Sequence, residues 1–204
     1  MFISIDGGDG AGKTTQVALL CEWLRAGGRE VVACRDPGST RLGEAVRELV
    51  LNRNDLRIDR RSEMLLYMAA RAQLVEEVIR PALDQGKTVV SDRYLLANVV
   101  YQGHAGGLDV KTLWEVGRVA TGGLVPDLSI VLEIPPREAA SRLRRELDRM
   151  EQQGDAFHAR VRQGFLDEAK RQPERIVVVN AARSIEQVQA DIRTVAGRFL
   201  NAEC

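Results

Sequence analysis

The chain has 204 residues with 29 basic and 29 acidic side chains, so its formal charge at pH 7 is zero. A hydrophobic share of 45% and a charged share of 28% suit one globular domain with a proper core, and they exclude disordered, collagen-like and simple coiled-coil proteins. Neutrality also argues against a nucleic-acid binder, which would draw its affinity from phosphate neutralisation; yet Arg supplies 25 of the cations and Lys four, so a local anion site is still possible.

Phe2 to Ile5 reads as a short buried strand, followed by a glycine-rich turn and a helix from Thr14 to Ala26 that ends on Gly27 and Gly28. Glu30 to Cys34 is a second strand, and Asp36-Pro37-Gly38-Ser39 is a turn opening another helix. A long helix runs from Arg61 to Leu83, with Met64, Met68, Ala72, Val75 and Ile79 on one stripe and a kink expected at Pro81. Thr88 to Ser91 forms strand three and ends in Asp92-Arg93. Helical segments continue to Thr121, split at His104-Ala105-Gly106-Gly107, and Leu128 to Glu133 is strand four.

An Arg-rich helical region extends to Arg171, with a mobile excursion expected around 142–155, and Ile176 to Val179 is strand five. The last helix opens with a capping box at Ser184-Ile185-Glu186-Gln187 and carries Ile185, Val188, Ile192, Val195 and Phe199 on its apolar stripe. Five apolar strands alternating with helices predict an α/β fold, a five-stranded parallel sheet covered by helices on both faces, as a single domain over 1–204. No apolar run reaches the ~20 residues of a membrane-spanning helix. Met1 opens directly on strand one without a basic leader, and Cys21, Cys34 and Cys204 fit neither a disulfide framework nor a zinc spacing. The expectation is a cytoplasmic protein without membrane or nucleic-acid partners.

Gly7-Gly8-Asp9-Gly10-Ala11-Gly12-Lys13-Thr14, followed by Thr15, matches the spacing G-x-x-x-x-G-K-[ST] between a strand and a helix. Glycines let successive backbone N–H groups turn inward around phosphate oxygens, and the helix start adds its positive end. Lys13 is placed to reach the β/γ-phosphates and the Thr14 hydroxyl to ligate Mg²⁺, which implies ATP and magnesium; a plain glycine-rich turn is the alternative.

The fate of the γ-phosphate has three readings: a switch NTPase, a small-molecule kinase or a non-catalytic nucleotide-binding module. No Lys follows an Asn, so the guanine-specific N-K-x-D segment of a switch GTPase is absent. Asp92 could hold magnesium through water, or cap the next helix, or do both. Arg93, at the carboxyl end of the same strand, could meet an anionic acceptor or form a structural ion pair.

Arg142, Arg144, Arg145 and Arg149 cluster, and on a helix Arg142, Arg145 and Arg149 would share a face. They read as arginine fingers carried by a closing lid, or as a solvated helix with pairs such as Glu138–Arg142. A monophosphate acceptor, whose second pKa lies near 6, needs no general base. His104 and His158 read as solvated surface residues.

Taken together, these segments resemble the thymidylate kinases in their bacterial form, with the catalytic arginines in the lid. The resemblance rests on the loop with Asp9, Arg35-Asp36-Pro37-Gly38-Ser39-Thr40, Tyr67-Met68-Ala69-Ala70-Arg71 with Gln73, Asp92-Arg93-Tyr94, Tyr101-Gln102-Gly103, Pro126-Asp127-Leu128 and Asp148-Arg149-Met150-Glu151. It implies γ-phosphoryl transfer from Mg·ATP to dTMP, giving dTDP, by a homodimer of the P-loop nucleoside-monophosphate-kinase fold.

In that reading Tyr67 stacks on thymine, Arg71 bonds a carbonyl of the base, and Asn98 meets its imide edge. From the residues alone, Tyr67 could equally be a core residue and Arg71 a surface cation. Tyr101 packs under the sugar, Gln102 adds a polar contact, Pro37 shapes the base pocket, and Arg35 and Arg93 face the acceptor phosphate. Asp9 lies near the sugar 3′-hydroxyl or the metal, and Arg145 and Arg149 act on the transferred group. The chain departs from the family pattern at Asp6, Asp36, Ala97 and Asn180, and Gly10 stands where some members carry an arginine. Another nucleoside or nucleoside-monophosphate kinase of the same fold is the alternative activity.

Overall fold

The computed structural model describes residues 1–53, 55–142, 148–150 and 152–201. Its sheet joins β1 (Phe2–Gly7), β2 (Val31–Arg35), β3 (Thr88–Asp92), β4 (Leu128–Glu133) and β5 (Ile176–Asn180) in the order β2-β3-β1-β4-β5, every pair parallel. Alternation along each strand sorts the core. Ile3 and Ile5 face α1 (Lys13–Ala26) and α9 (Ile185–Asn201) in a cluster with Leu20, Leu24 and Ile192. Phe2 and Val89 lie in a separate cluster with Met64, Met68, Val75 and Ile79. Since both faces are covered, β1 and β3 are buried along their whole length and β4 along all but its last residue.

The chain leaves β1 through α1 to reach β2, beyond β3, while after β3 it crosses to β4 on the other side of β1. Neighbouring strands β1 and β3 thus send their chains apart, and the crevice beyond their carboxyl ends is where such sheets bind ligands. The glycine-rich loop follows β1 there, and Asp92-Arg93 ends β3.

Two helices that line this crevice are wound partly as π-helix, a feature frequent at functional sites. The first runs through α3 (Arg60–Leu74), a π stretch (Val75–Ile79) and α4 (Arg80–Asp84). Its wider winding ends just before Pro81, where the ring and the missing N–H forbid a regular bond. The second runs from α5 (Leu95–Asn98) into a π stretch (Val99–Ala105), and α6 (Val110–Ala120) follows. Around them pack α2 (Arg41–Leu51) and α8 (Asp155–Arg171), and α7 (Pro136–Arg142) packs on α8.

The capping box holds: Ser184 Oγ accepts from Gln187 N, and Gln187 Oε1 accepts from Ser184 N, both at 3.3 Å. On α9, however, the expected core residue Ile185 is exposed while Ala196 and Leu200 are buried, because the buried face runs through Val188, Ile192, Ala196 and Leu200. Of the region 142–155, residues 143–147 and 151, and with them Arg144, Arg145 and Glu151, lie outside the described residues. Among the described residues Arg142 lies on α7 and Arg149 in a turn.

Candidate active site

Three glycines give the phosphate loop its path. Gly7, Gly10 and Gly12 have φ of +138°, +78° and +88°, backbone that side chains rarely adopt. A Cβ on Gly10 would also lie 2.3 Å from the carbonyl oxygen of Ala139, so α7 excludes the arginine that some family members carry there. Gly8 takes part through its carbonyl, which accepts from Lys13 Nζ at 2.6 Å, while Ala11 packs into the core. Burial, and then the repulsion of Arg93, bring the Lys13 ammonium down to a pKa of about 8.

At the end of β3, Asp92 Oδ2 accepts from Thr14 Oγ1 at 2.8 Å. Tyr94 occupies the N-cap position of α5 and Asp92 does not cap that helix. Instead the Tyr94 N–H donates to Asp6 Oδ1 at 3.3 Å. Burial lifts the Asp6 carboxyl to about 6 against the pull of Ser4, whose Oγ donates to its other oxygen at 2.7 Å. Arg93 has φ of +67°, held by its N–H on the Ile5 carbonyl at 3.0 Å and by Ser91 Oγ on its own carbonyl at 2.6 Å. Such a residue costs about 1–2 kcal/mol, and here it aims a guanidinium across the crevice.

That guanidinium bonds Asp9 Oδ1 at 2.5 Å and lies 3.4 Å from Asp92. The other Asp9 oxygen accepts from the Tyr101 hydroxyl at 2.8 Å. Although burial pushes Asp9 up, Arg93 and Lys13 hold it below its ordinary value. Arg93 is thus ion-paired, and it also lines the cavity.

The cavity measures about 270 Å³ and runs from Gly12, Lys13, Thr14 and Thr15 to Arg35, Pro37 and Tyr67. At its far end a line of buried side chains is joined by hydrogen bonds. Arg71 bonds Asp36 Oδ2 through Nε at 2.5 Å and Asn98 Oδ1 through Nη1 at 3.0 Å. Asn98 Nδ2 donates to Gln102 Oε1 at 2.6 Å, and Gln102 Nε2 donates to Glu63 Oε1 at 2.8 Å. Arg71 is only 2% exposed, so the surface-cation reading is wrong: its charge is neutralised by Asp36, whose carboxyl burial pushes up. Asp36 Oδ1 is left buried without a partner, beside the cavity wall. Tyr67 lies in an apolar cluster and also lines the cavity.

Arg149 and Arg142 stand apart from the cavity, while Arg35 lines it. Arg149 pairs with Glu63 and donates from Nε to the Val50 carbonyl at 2.8 Å, so its guanidinium is engaged at the end of the site away from the phosphate loop. Arg142 bonds the Ala181 carbonyl at 3.0 Å and Glu138 at 3.1 Å, the pair read as the bland alternative. Arg35 pairs with Glu44 at 2.9 Å beside the cavity. His104 is not solvated: it lies 2.8 Å from buried Glu168, and His158 packs edge-on against Phe157. Sequence reasoning missed Glu63 and the cavity-lining Arg47, which donates to the Pro37 carbonyl at 3.1 Å. The spacing of Glu63, Tyr67 and Arg71, four residues apart on α3, could have revealed the first.

Magnesium fits this geometry. Among the described residues no group of three or more His, Cys, Asp or Glu side chains forms a cage. A hydroxyl and one carboxylate beside a phosphate loop suit an ion that keeps waters and shares substrate phosphates.

A family model described as thymidylate kinase matches residues 5–192. The thymidylate kinase of Clavibacter michiganensis is 47% identical over 205 residues, covering 99% of this chain and 97% of the relative. That of Rhodopirellula baltica is 46% identical over 194 residues, covering 95% and 79%. The crystal structure of thymidylate kinase from Ehrlichia chaffeensis superposes with a TM-score of 0.78 at 32% identity, covering 96% of this chain and 98% of that one. A phosphate loop, a cavity leading from it to a buried arginine–amide line, and this likeness along nearly the whole length agree, and the chain belongs to the thymidylate kinase family.

Proposed function

We propose that the chain transfers the γ-phosphoryl group of Mg·ATP to dTMP, giving dTDP, with the roles assigned as follows. The observation that carries the assignment is the single cavity whose walls include both Lys13 and the Arg71–Asn98–Gln102 line. ATP phosphates lie in the loop of residues 7–15, where Lys13 neutralises charge on the transferring group. Thr14 and Asp92 would hold Mg²⁺, which when bound would neutralise charge on the phosphate oxygens.

Arg93, aimed by its backbone and braced by Asp9, meets the phosphates where donor and acceptor approach, with Arg35 on the acceptor side. Tyr101, whose hydroxyl burial and Asp9 keep protonated, packs under the sugar. Tyr67 stacks on the base, Pro37 bounds it, and Arg71, Asn98 and Gln102 read its polar edge. No general base is needed, because the acceptor phosphate is already largely ionised at pH 7.

In this reading Arg145 acts on the transferred phosphoryl group within a lid spanning 142–155. Arg149, engaged with Glu63 and α2, anchors that segment. The protein works as a cytoplasmic homodimer. Exposed Leu65 on α3 and Val119 on α6, 54% and 84% exposed on two helices that contact each other, support an interface there. No helix among the described residues is long and apolar enough to cross a membrane.

ADP release measured with dTMP, dUMP, dCMP, dGMP and thymidine tests the assignment. Turnover should be fastest with dTMP; turnover with thymidine but not dTMP would overturn the monophosphate acceptor. Light scattering at micromolar concentration tests the dimer.

A further inference from the structure

The hydrogen bonds at the base end of the cavity all run in one sense. Arg71 donates to Asn98, Asn98 to Gln102, and Gln102 to Glu63. The first member is a guanidinium, which only donates. The last is a carboxylate in an ion pair with Arg149, which only accepts. Between these ends each amide has one satisfactory orientation. Turning either over would set oxygen against oxygen on one side and N–H against N–H on the other. Arg71, Asn98, Gln102 and Glu63 are all at most 6% exposed, so water cannot relieve the mismatch and the full desolvation cost of the unpaired groups remains.

Glu63 is the point where this line meets the rest of the protein. It shares the face of α3 that carries Tyr67 and Arg71. Arg149 reaches it from the Asp148–Met150 turn, which is fastened to the end of α2. There the Arg149 N–H donates to the Leu51 carbonyl at 3.1 Å and Nε donates to that of Val50 at 2.8 Å. These carbonyls belong to the last turn of α2, which has no helical donors for them. One carboxylate therefore joins α2, α3 and the amide pair.

We propose that Glu63 is a positioning residue for the acceptor base: seated by Arg149, it fixes the orientation of Gln102 and Asn98 and thereby makes the site refuse a pyrimidine carrying an amino group at position 4. The proposal rests on the reading that Asn98 and Gln102 face the base, and both do line the cavity. Thymine presents a 4-carbonyl acceptor and an imide N–H donor. Cytosine presents an amino donor and a ring-nitrogen acceptor, the reverse order. Amides free to turn could serve either base, whereas amides held from both ends serve one.

Steady-state kinetics of the full chain with dTMP and dCMP, on Glu63→Gln, Arg149→Gln and the double variant, provide the test. Glu63→Gln should raise KM for dTMP about tenfold and lower the dTMP-over-dCMP ratio of kcat/KM about tenfold, with kcat and KM for ATP within about threefold; Arg149→Gln should lower the same ratio about tenfold, whatever it does to kcat through the segment it anchors. The double variant should be no worse than the worse single one, since both remove one contact. Arg149→Lys, which keeps the charge, should recover part of the lost affinity.

Unchanged KM and selectivity in Glu63→Gln would overturn the proposal. Equal damage to the KM values of ATP and dTMP would too, since that marks a merely structural role. Should Glu63→Gln fail to fold, Arg149→Gln carries the same test, because its side chain is 19% exposed and lies outside the core. Asn98→Ala separates the two levels. No effect on KM for dTMP would sink the base-site reading itself, and a raised KM there with none in the Glu63 variant would remove only the role of Glu63.

Discussion

Where the cavity meets the phosphate loop, the groups around it are backbone N–H groups, one lysine and ion pairs set at the ends of β1 and β3; where it meets α3 and α5, they are side chains that hold one another in a line. At the first end, geometry comes from glycine φ angles and from an arginine in the left-handed region, so the backbone sets direction and the side chains supply charge. At the second, direction comes from reciprocal hydrogen bonding among buried groups, none of which is placed by a turn of its own. The difference predicts a division of labour. Losing a charge at the phosphate end should slow the chemical step, and losing a link at the base end should weaken the acceptor's hold.

Lys13→Ala gives the largest expected effect, a fall in kcat of about 10²–10³-fold with KM for dTMP within about threefold, because the ammonium matters most as charge develops on the transferring group. A KM for dTMP that rose as far as kcat fell would break the comparison. Arg71→Ala should do the opposite, raising KM for dTMP by about 10–100-fold through loss of a charged hydrogen bond worth roughly 1–3 kcal/mol. Asp36 would also lose the guanidinium it pairs with while buried, with one oxygen already unpaired. Its melting temperature, read by circular dichroism, should therefore fall, whereas an ATP titration by calorimetry should be nearly unchanged.

The lysine offers a third, smaller test without mutation. Its pKa in the free site is about 8, below the usual 10.5, because burial disfavours the charged form. The charged form is the active one, so kcat/KM for ATP should decline as pH rises through 8, by up to about tenfold per unit. Bound phosphates restore the charge, so kcat itself should hold to higher pH. Profiles of both constants check this, and a flat kcat/KM up to about pH 9.5 would mean that Lys13 keeps its proton without the nucleotide.

The phosphate end was legible because its chemistry is contiguous. Residues Gly7 to Thr15 carry the whole loop, and the expected strand before it and helix after it are both present. The sheet was legible too, since apolar strands alternate with helices, and strand ends fell within two residues of their places. The base end is assembled from residues 36, 63, 71, 98 and 102, and no pattern of apolar spacing announces that a polar residue on an inward face will find partners. Arg71 therefore read equally well as a surface cation, and Glu63 went unnoticed, although it lies one turn before Tyr67. Arg149 reads as a phosphate-facing residue because arginines close in sequence suggest a common face, whereas among the described residues it lies in a turn and pairs with Glu63. The π stretches left no mark in the pattern, since a single wider turn shifts the periodicity by less than the scatter of the side chains.

The smallest expected effect sharpens the comparison at its weakest point, Tyr67. This residue combines an apolar ring, packed with Ala70, Leu96 and Val100, with a hydroxyl that burial pushes well above its ordinary pKa and keeps protonated. If the base end recognises its ligand by stacking at this position and by hydrogen bonds at Arg71, Asn98 and Gln102, only the ring matters. Tyr67→Phe should then change KM for dTMP by less than about threefold, while Tyr67→Leu, which keeps apolar volume but not the flat face, should raise it by about tenfold. Measured side by side, the two variants separate stacking from packing. A large effect of Tyr67→Phe would place the hydroxyl among the polar contacts, and the line of hydrogen bonds would then extend one residue further towards the base than its present members.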